Sequence, residues 1–436
     1  MTSTPKLSQE ENDQGFRGTF TLAAAGHYRM EVTTLRATFD LDRLHRERSE
    51  LHGELLVKWP HAGARTINEV LAASDFNLSS QRSRVERAKY LNHRANTNDE
   101  ALWIDLVEEF CQRVIVFERQ GEPSQSFADL PDTDSDESWD IDGLRLQKQL
   151  PGLLFGDGGQ GKSILALYCA ARVAVHDVRV LYADWEFDGS EHKRRLRQLC
   201  GAMIPTLRYA RCARSLLLEF DRLSRMIRQE HIDYLVCDSV GFACAGAGPL
   251  ETADTATAYW GAIRELNVGS LHVAHVTKRS ADVAETKRQE AYPFGSIFWA
   301  NGSRANWFVR GNWAVPDRRL HVGCFPKKRT TGALGPVVGF ALKFDARQLL
   351  GLETLNVRDD HELSQHLSVS QRIRPLLASG AKTVATIADE LGVPINSVVK
   401  ALSRGKQTSF VEVQLGSDGV KRWGLLRGGR DSEEAD

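Results

Sequence analysis

The chain has 436 residues, 42% hydrophobic and 26% charged, with a formal net charge of -1. That is ordinary globular composition with room for about three domains, and it excludes a chain that is basic throughout, so any nucleic-acid contact must come from local patches. Seven cysteines stand apart with no CxxC pair, which excludes a disulfide framework and a cysteine-built zinc site.

The polar start MTSTPKLSQEENDQGF lacks the apolar core of a secretory signal, and no window approaches ~18 uninterrupted apolar residues. The expectation is a cytoplasmic chain with no membrane segment, disordered over residues 1–17. Short strands are expected in TFTLAAA and YRMEVTTLRATF, then a charged helix in LDRLHRERSELHGELLV. The run NEVLAASDFNLSSQRSRVERAKYLNHRA reads as one or two polar helices. Its arginines at helical spacing suit a solvated helix face better than a nucleic-acid surface. ALWIDLVEEFCQRVIVFER repeats apolar positions at three and four, as an amphipathic helix does. Residues Ala128–Gly143 carry seven acids and no base, too polar to bury a core, and read as a linker.

From about residue 148 to 345, strand-like runs (GLLFG, VRVLYADW, DYLVCDS, LHVAHVT, NWFVRG) alternate with helical segments. This alternation predicts an α/β domain with a mainly parallel sheet. HVGCF and VVGFALKFD follow without helices between them, which predicts an antiparallel edge. A polar break at VRDDHELSQ precedes three helical segments and two strand-like pieces joined by the turn GSDG.

The run Gly156-Asp157-Gly158-Gly159-Gln160-Gly161-Lys162-Ser163 fits GxxxxGK[ST] and lies between an apolar strand and a helix. Glycines let the backbone turn tightly and aim successive N–H groups at phosphate oxygens. The helix that follows adds its positive end, Lys162 reaches the outer phosphates, and the Ser163 hydroxyl serves Mg²⁺. ATP and Mg²⁺ are therefore the expected cofactors. Asp238, at the C-terminal end of a buried strand, is the expected partner of Ser163 at the metal, because strand C-termini line the ligand crevice of open α/β sheets. Glu186, where ADWE leaves the sheet, is the expected base or water-orienting group, with Asp184 in reserve. His275, ending LHVAHVTK, is the expected sensor of the outermost phosphate.

Phosphate loop, Glu, Asp and His-x-x-Lys in this order resemble the RecA-type core, and among such proteins the RepA/DnaB-like hexameric helicases and their relatives on mobile elements. The resemblance spans about residues 148–345. It implies that Arg304, in PFGSIFWANGSRANWFVRG, is a catalytic finger reaching a neighbouring subunit's site. It also implies that CFPKKRTTGALGP supplies a lysine near the phosphates in trans, Lys328. The strand ends DWEFD where the RepA-like proteins carry a Glu-Asp pair, and the flanking regions are large.

The tail reads as a winged helix-turn-helix. TVATIADELG is a first helix capped by Thr383, and INSVVKALSRGK a recognition helix presenting Asn396, Ser397, Lys400 and Arg404. The wing carries Lys421 and Arg422. Between residues 370 and 430, ten Lys/Arg stand against four acids, a local excess suited to DNA phosphates.

The expected fold class is α/β: a RecA-like P-loop core with a mainly parallel sheet, an α+β N-terminal domain and a C-terminal winged helix. The expected layout is 18–127, an N-terminal domain without a motif; 128–147, linker; 148–357, ATPase domain; 365–428, winged helix; 429–436, polar tail. The expected function is an ATP-hydrolysing, DNA-associated motor, a helicase or remodelling enzyme of replication, repair or mobile elements. It would act as a homo-oligomer with the hexamer as the family's form, with replication, repair or defence proteins as further partners. The alternatives are an ATP-gated DNA-binding regulator or defence-type sensor, and an assembly clamp that recruits a partner enzyme.

Overall fold

Alternation of buried and exposed side chains governs residues 19–77. The computed structural model describes residues 17–426 apart from 25, 98, 122–123, 131–136, 187, 277–292, 295, 315–316, 347 and 415–419. The expected disorder of residues 1–16, the 429–436 tail, the GSDG turn and Lys278 lie outside the described residues. Two compact units divide between Thr133 and Asp134.

In the first unit, β1 (Thr19–Ala24), β2 (His27–Val32), β3 (Ala37–Glu47), β4 (Glu50–Lys58) and β5 (Val70–Asn77) form an antiparallel sheet in sequential order. Helices α1 (Gln81–Ala95) and α2 (Glu100–Gln120) complete the unit, with Phe39, Leu55, Trp103 and Phe110 buried together. Each such large side chain contributes about 2–3 kcal/mol through burial.

The helix expected over LDRLHRERSELHGELLV is instead two strands. Leu51, Gly53, Leu55 and Val57 are buried at period two, which fixes strand over helix. The strands are joined at Arg48 and Ser49, both with positive φ (46° and 75°), the backbone that a tight hairpin turn requires. The first half of the next expected helix is likewise β5. The arginines of α1 are engaged inside the unit. Arg84 donates to Glu108 at 2.7 Å and to the Leu78 carbonyl at 2.8 Å, and Arg87 donates to Ser74 and to the Asp75 carbonyl.

In the second unit, residues assigned by composition to the acidic linker form a hairpin, β6 (Ser138–Ile141) and β7 (Leu144–Gln147). Ile141, Leu144 and Leu146 are buried, and Tyr168 donates to Asp142 at 2.5 Å. Composition hid this because only three aliphatic side chains anchor the hairpin.

The unit is built on a nine-stranded sheet ordered β10-β9-β11-β12-β8-β13-β14-β15-β16. The strands are β8 (Pro151–Gly156), β9 (Val180–Asp184), β10 (Leu207–Arg211), β11 (Tyr234–Asp238), β12 (Gly269–His275), β13 (Ala305–Ala314), β14 (Arg319–Arg329), β15 (Val338–Phe344) and β16 (Leu349–Leu355). Pairing is parallel from β10 to β13 and antiparallel from β13 to β16, as the sequence led us to expect. Helices α3 (Lys162–Ala174) and α4 (Gly189–Cys200) share one apolar cluster with the sheet. A second cluster takes in residues of α5 (Leu216–Glu230), α6 (Val240–Ala243), α7 (Ala253–Leu266) and α8 (Ile297–Gly302).

The polar stretch VRDDHELSQ is packed. Asp360 caps the short helix α9 (His361–Gln365), accepting from the Leu363 amide at 3.0 Å, and its carboxylate meets His321 Nδ1 at 2.7 Å. Val357, Leu363 and Leu367 bury against Phe325.

The chain ends in α10 (Val369–Ala378), α11 (Val384–Leu391), α12 (Ile395–Arg404) and the antiparallel pair β17 (Phe410–Gln414) and β18 (Lys421–Leu425). These gather around Ile373, Ile387, Val398, Leu402 and Phe410. Thr383 is the α11 N-cap, accepting from the Thr386 amide at 3.1 Å.

Candidate active site

The phosphate loop is held from one side by β13. Gly156 passes so close to that strand that a Cβ would lie 2.2 Å from the Val309 carbonyl oxygen. Gly159 and Gly161 have φ of 72° and 81°, a region that disfavours other residues. The Gly311 amide donates to Gln160 Oε1, and Arg310 meets Asp157 Oδ2 at 3.1 Å. The loop therefore keeps its cradle shape through contacts from β13 as well as its own glycines.

Lys162 opens α3 with its side chain buried, its ammonium donating to the Asp157 carbonyl at 2.5 Å. Burial lowers its pKa to about 8, opposed by the charges of Asp238, Glu186 and Asp157. A phosphate would replace the carbonyl as the partner of this cation.

Ser163 donates to Asp238 Oδ1 at 3.2 Å, and the other carboxylate oxygen accepts from Tyr182 at 2.7 Å. Asp238 is wholly buried, and desolvation pushes it up to about 6 against the opposing hydrogen bond from Tyr182. A hydroxyl and a carboxylate facing each other beside the phosphate cradle are the hard oxygen donors that suit Mg²⁺.

The two acids of DWEFD have separate roles. Asp184 is buried, with its carboxylate 3.1 Å from His192 Nε2 and 3.0 Å from the Tyr209 hydroxyl. It ties α4 and β10 to the strand end, the structural pairing that the basic run HKRRLR offers. Glu186 emerges from the sheet, accepts from the Ser239 hydroxyl and lies 3.5 Å from His275 Nε2. Its pKa is lowered, chiefly by the contact with His275, so it stays ionised and able to accept a proton. Lys162, Ser163, Asp238, Glu186 and His275 thus converge at the C-terminal ends of β8, β9, β11 and β12.

Arg304 and Lys328 are elsewhere. β13 runs parallel to β8 with Ala305 opposite Gly152, and the Arg304 amide donates to the Pro151 carbonyl. Four to five residues of strand, about 15 Å, separate this end from the phosphate loop. Lys328 donates to the carbonyls of Ala300, Asn301 and Ser303 at 2.8–3.1 Å, capping α8. Neither is at the phosphate loop of its own chain, so the ATP-binding assignment of Lys328 does not hold within one protomer.

In the tail, Asn396, Lys400 and Arg404 are exposed on α12 and Ser397 is half-buried, while Val398 and Leu402 face the small core. Lys421 pairs with Glu412 at 2.8 Å, which also takes Lys406 at 3.3 Å, so its charge is already compensated. Arg422 is half-buried.

Sequence reading missed Tyr182, Ser239, Gln160 and Arg310. Tyr182 sits in an apolar run where an aromatic reads as core, and the β13 contacts depend on register. A cavity of about 430 Å³, lined by Trp313, Phe344, Arg194, Arg195 and Arg318, was also unforeseen. The phosphate loop approaches the same strands, since a Cβ on Gly161 would lie 2.9 Å from Leu342 of β15.

A family model described as an AAA domain matches residues 117–281, a stretch that holds the phosphate loop, Glu186, Asp238 and His275. No curated protein matches the chain. Among solved structures, an isolated ATPase domain is similar at 14% identity and a TM-score of 0.37, covering 47% of this chain and 86% of that one. The central part of the chain is thus similar to an AAA domain, and its mixed α/β sheet carries a P-loop at the strand end where such a domain needs one.

Proposed function

We propose that this chain is an ATP-hydrolysing, DNA-associated motor of RecA/RepA-like design, a helicase or DNA-remodelling enzyme. The convergence of Lys162, Ser163, Asp238 and Glu186 around one phosphate cradle carries this reading. Loop amides and Lys162 hold the phosphates, and the Trp313–Phe344 cavity takes the base. Ser163 and Asp238 would hold Mg²⁺, which supplies charge neutralisation at the outer phosphates when bound. Glu186, kept ionised by His275, orients and deprotonates the attacking water.

Arg304 is too far from its own cradle to serve it, which supports a role in a neighbouring subunit's site and hence a ring or filament. The exposed Asn396, Lys400 and Arg404 support DNA contact through α12.

The test is ATP turnover by the purified chain with no DNA, single-stranded DNA or duplex DNA, beside Arg304→Ala. Stimulation by single strands, with Arg304→Ala binding ATP but not hydrolysing it, is the expected result. Turnover indifferent to both DNAs would shift the reading to an ATP-gated regulator, and normal turnover by Arg304→Ala would end the trans-finger assignment.

A further inference from the structure

The N-terminal sheet brings together histidines and carboxylates that the nucleotide chemistry leaves unused. His45 of β3 lies directly opposite His52 of β4, their ring centroids 5.7 Å apart. The register of β4 on β5 puts His52 opposite Asn77 and Glu54 opposite Asp75. Residues two apart on a strand share a face, so His45, Glu50, His52, Glu54, Asp75 and Asn77 all project from the outer face. The inner face carries Leu51, Leu55 and Phe76 into the core. One potential ligand atom each from His45, His52 and Asp75 fall within 4.8 Å of one another.

We propose that His45, His52 and Asp75 form a site for a divalent transition-metal ion of the zinc type. Hydrogen bonding sets which nitrogens are available. His45 Nδ1 lies 2.9 Å from the Arg43 carbonyl, which can only accept, so Nδ1 carries the proton and Nε2 keeps its lone pair. His52 has Asp75 Oδ2 3.9 Å from Nδ1 and Glu50 Oε2 3.7 Å from Nε2. With Nδ1 as ligand beside Asp75, the Nε2 proton faces Glu50, which Asn77 orients by donating to Oε2 at 2.8 Å. A ligating imidazole whose second nitrogen donates to a carboxylate is the arrangement that fixes ring orientation at metal centres. Two imidazoles select a zinc-like ion over Mg²⁺ or Ca²⁺, and three protein ligands leave a fourth position for water. Bonds of about 2.0–2.2 Å require the ligand atoms to draw together by roughly 1–1.5 Å. Side-chain rotation of the exposed His45 and Asp75 supplies that.

The full chain, stripped with EDTA and titrated with zinc chloride against a chromogenic chelator, tests this. The expected result is one zinc per chain, with affinity reduced more than tenfold in His45→Gln and His52→Gln and about tenfold in Glu50→Gln. Circular dichroism of each variant, and its ATP turnover in Mg²⁺, should match wild type. His45 and Asp75 are exposed, so His45→Gln and Asp75→Asn test the ligands without touching the core. Absence of stoichiometric zinc, or wild-type zinc affinity in folded His45→Gln and Asp75→Asn, would overturn the proposal.

Discussion

At Lys162 and Asp238 the same physical term, desolvation, acts on charges of opposite sign. Burial lowers the lysine to about 8 and raises the aspartate to about 6. Below about 6 Asp238 takes a proton and no longer attracts a cation; above about 8 Lys162 loses the charge that attracts phosphate. Affinity for a fluorescent Mg²⁺-ADP analogue should therefore peak between these values, rising with pH on the acid side and falling on the alkaline side. Asp238→Asn should remove the acid limb alone. A flat profile from acid to alkaline pH would contradict the assigned pair. The residues of this pair were legible because GxxxxGKS fixes Lys162 and Ser163 by motif, and Asp238 ends an uninterrupted apolar run. Tyr182, Ser239 and Arg310 were not legible. Their roles come from which strand lies beside which, and no local spacing encodes that.

At the scale of elements, β13 supports the phosphate loop through its backbone at Val309 and Gly311 and its side chain at Arg310. Gly156→Ala should force β8 and β13 apart, because its Cβ would sit 2.2 Å from the Val309 oxygen. We expect a loss of about 3 kcal/mol or more, measured by urea denaturation; wild-type stability would show that the two strands are not so closely coupled. Element type was readable where hydrophobic period and length agree, as in α2 and the strands of the parallel sheet. It failed over residues 41–57, where Arg and Glu at helical spacing masked the period-two burial of Leu51, Leu55 and Val57. It failed again at residues 138–147, where seven acids nearby outweighed three buried aliphatics.

Over the whole molecule, the chain combines a strand-end phosphate site with an N-terminal sheet unit and a tail whose α12 presents polar and basic side chains. The far end of β13 carries Arg304 and Lys328, about 15 Å of strand away from the loop that β13 supports. One strand therefore links a site to a surface that cannot serve that same site. The account depends first on hydrolysis at Glu186. Its most direct test is Mg²⁺-dependent ATP turnover by wild type, Lys162→Ala and Glu186→Gln, with nucleotide affinity measured on the same samples. The account predicts that Glu186→Gln binds ATP as wild type does but turns it over about a hundredfold more slowly or worse, while Lys162→Ala loses binding. Wild-type turnover by Glu186→Gln would contradict it.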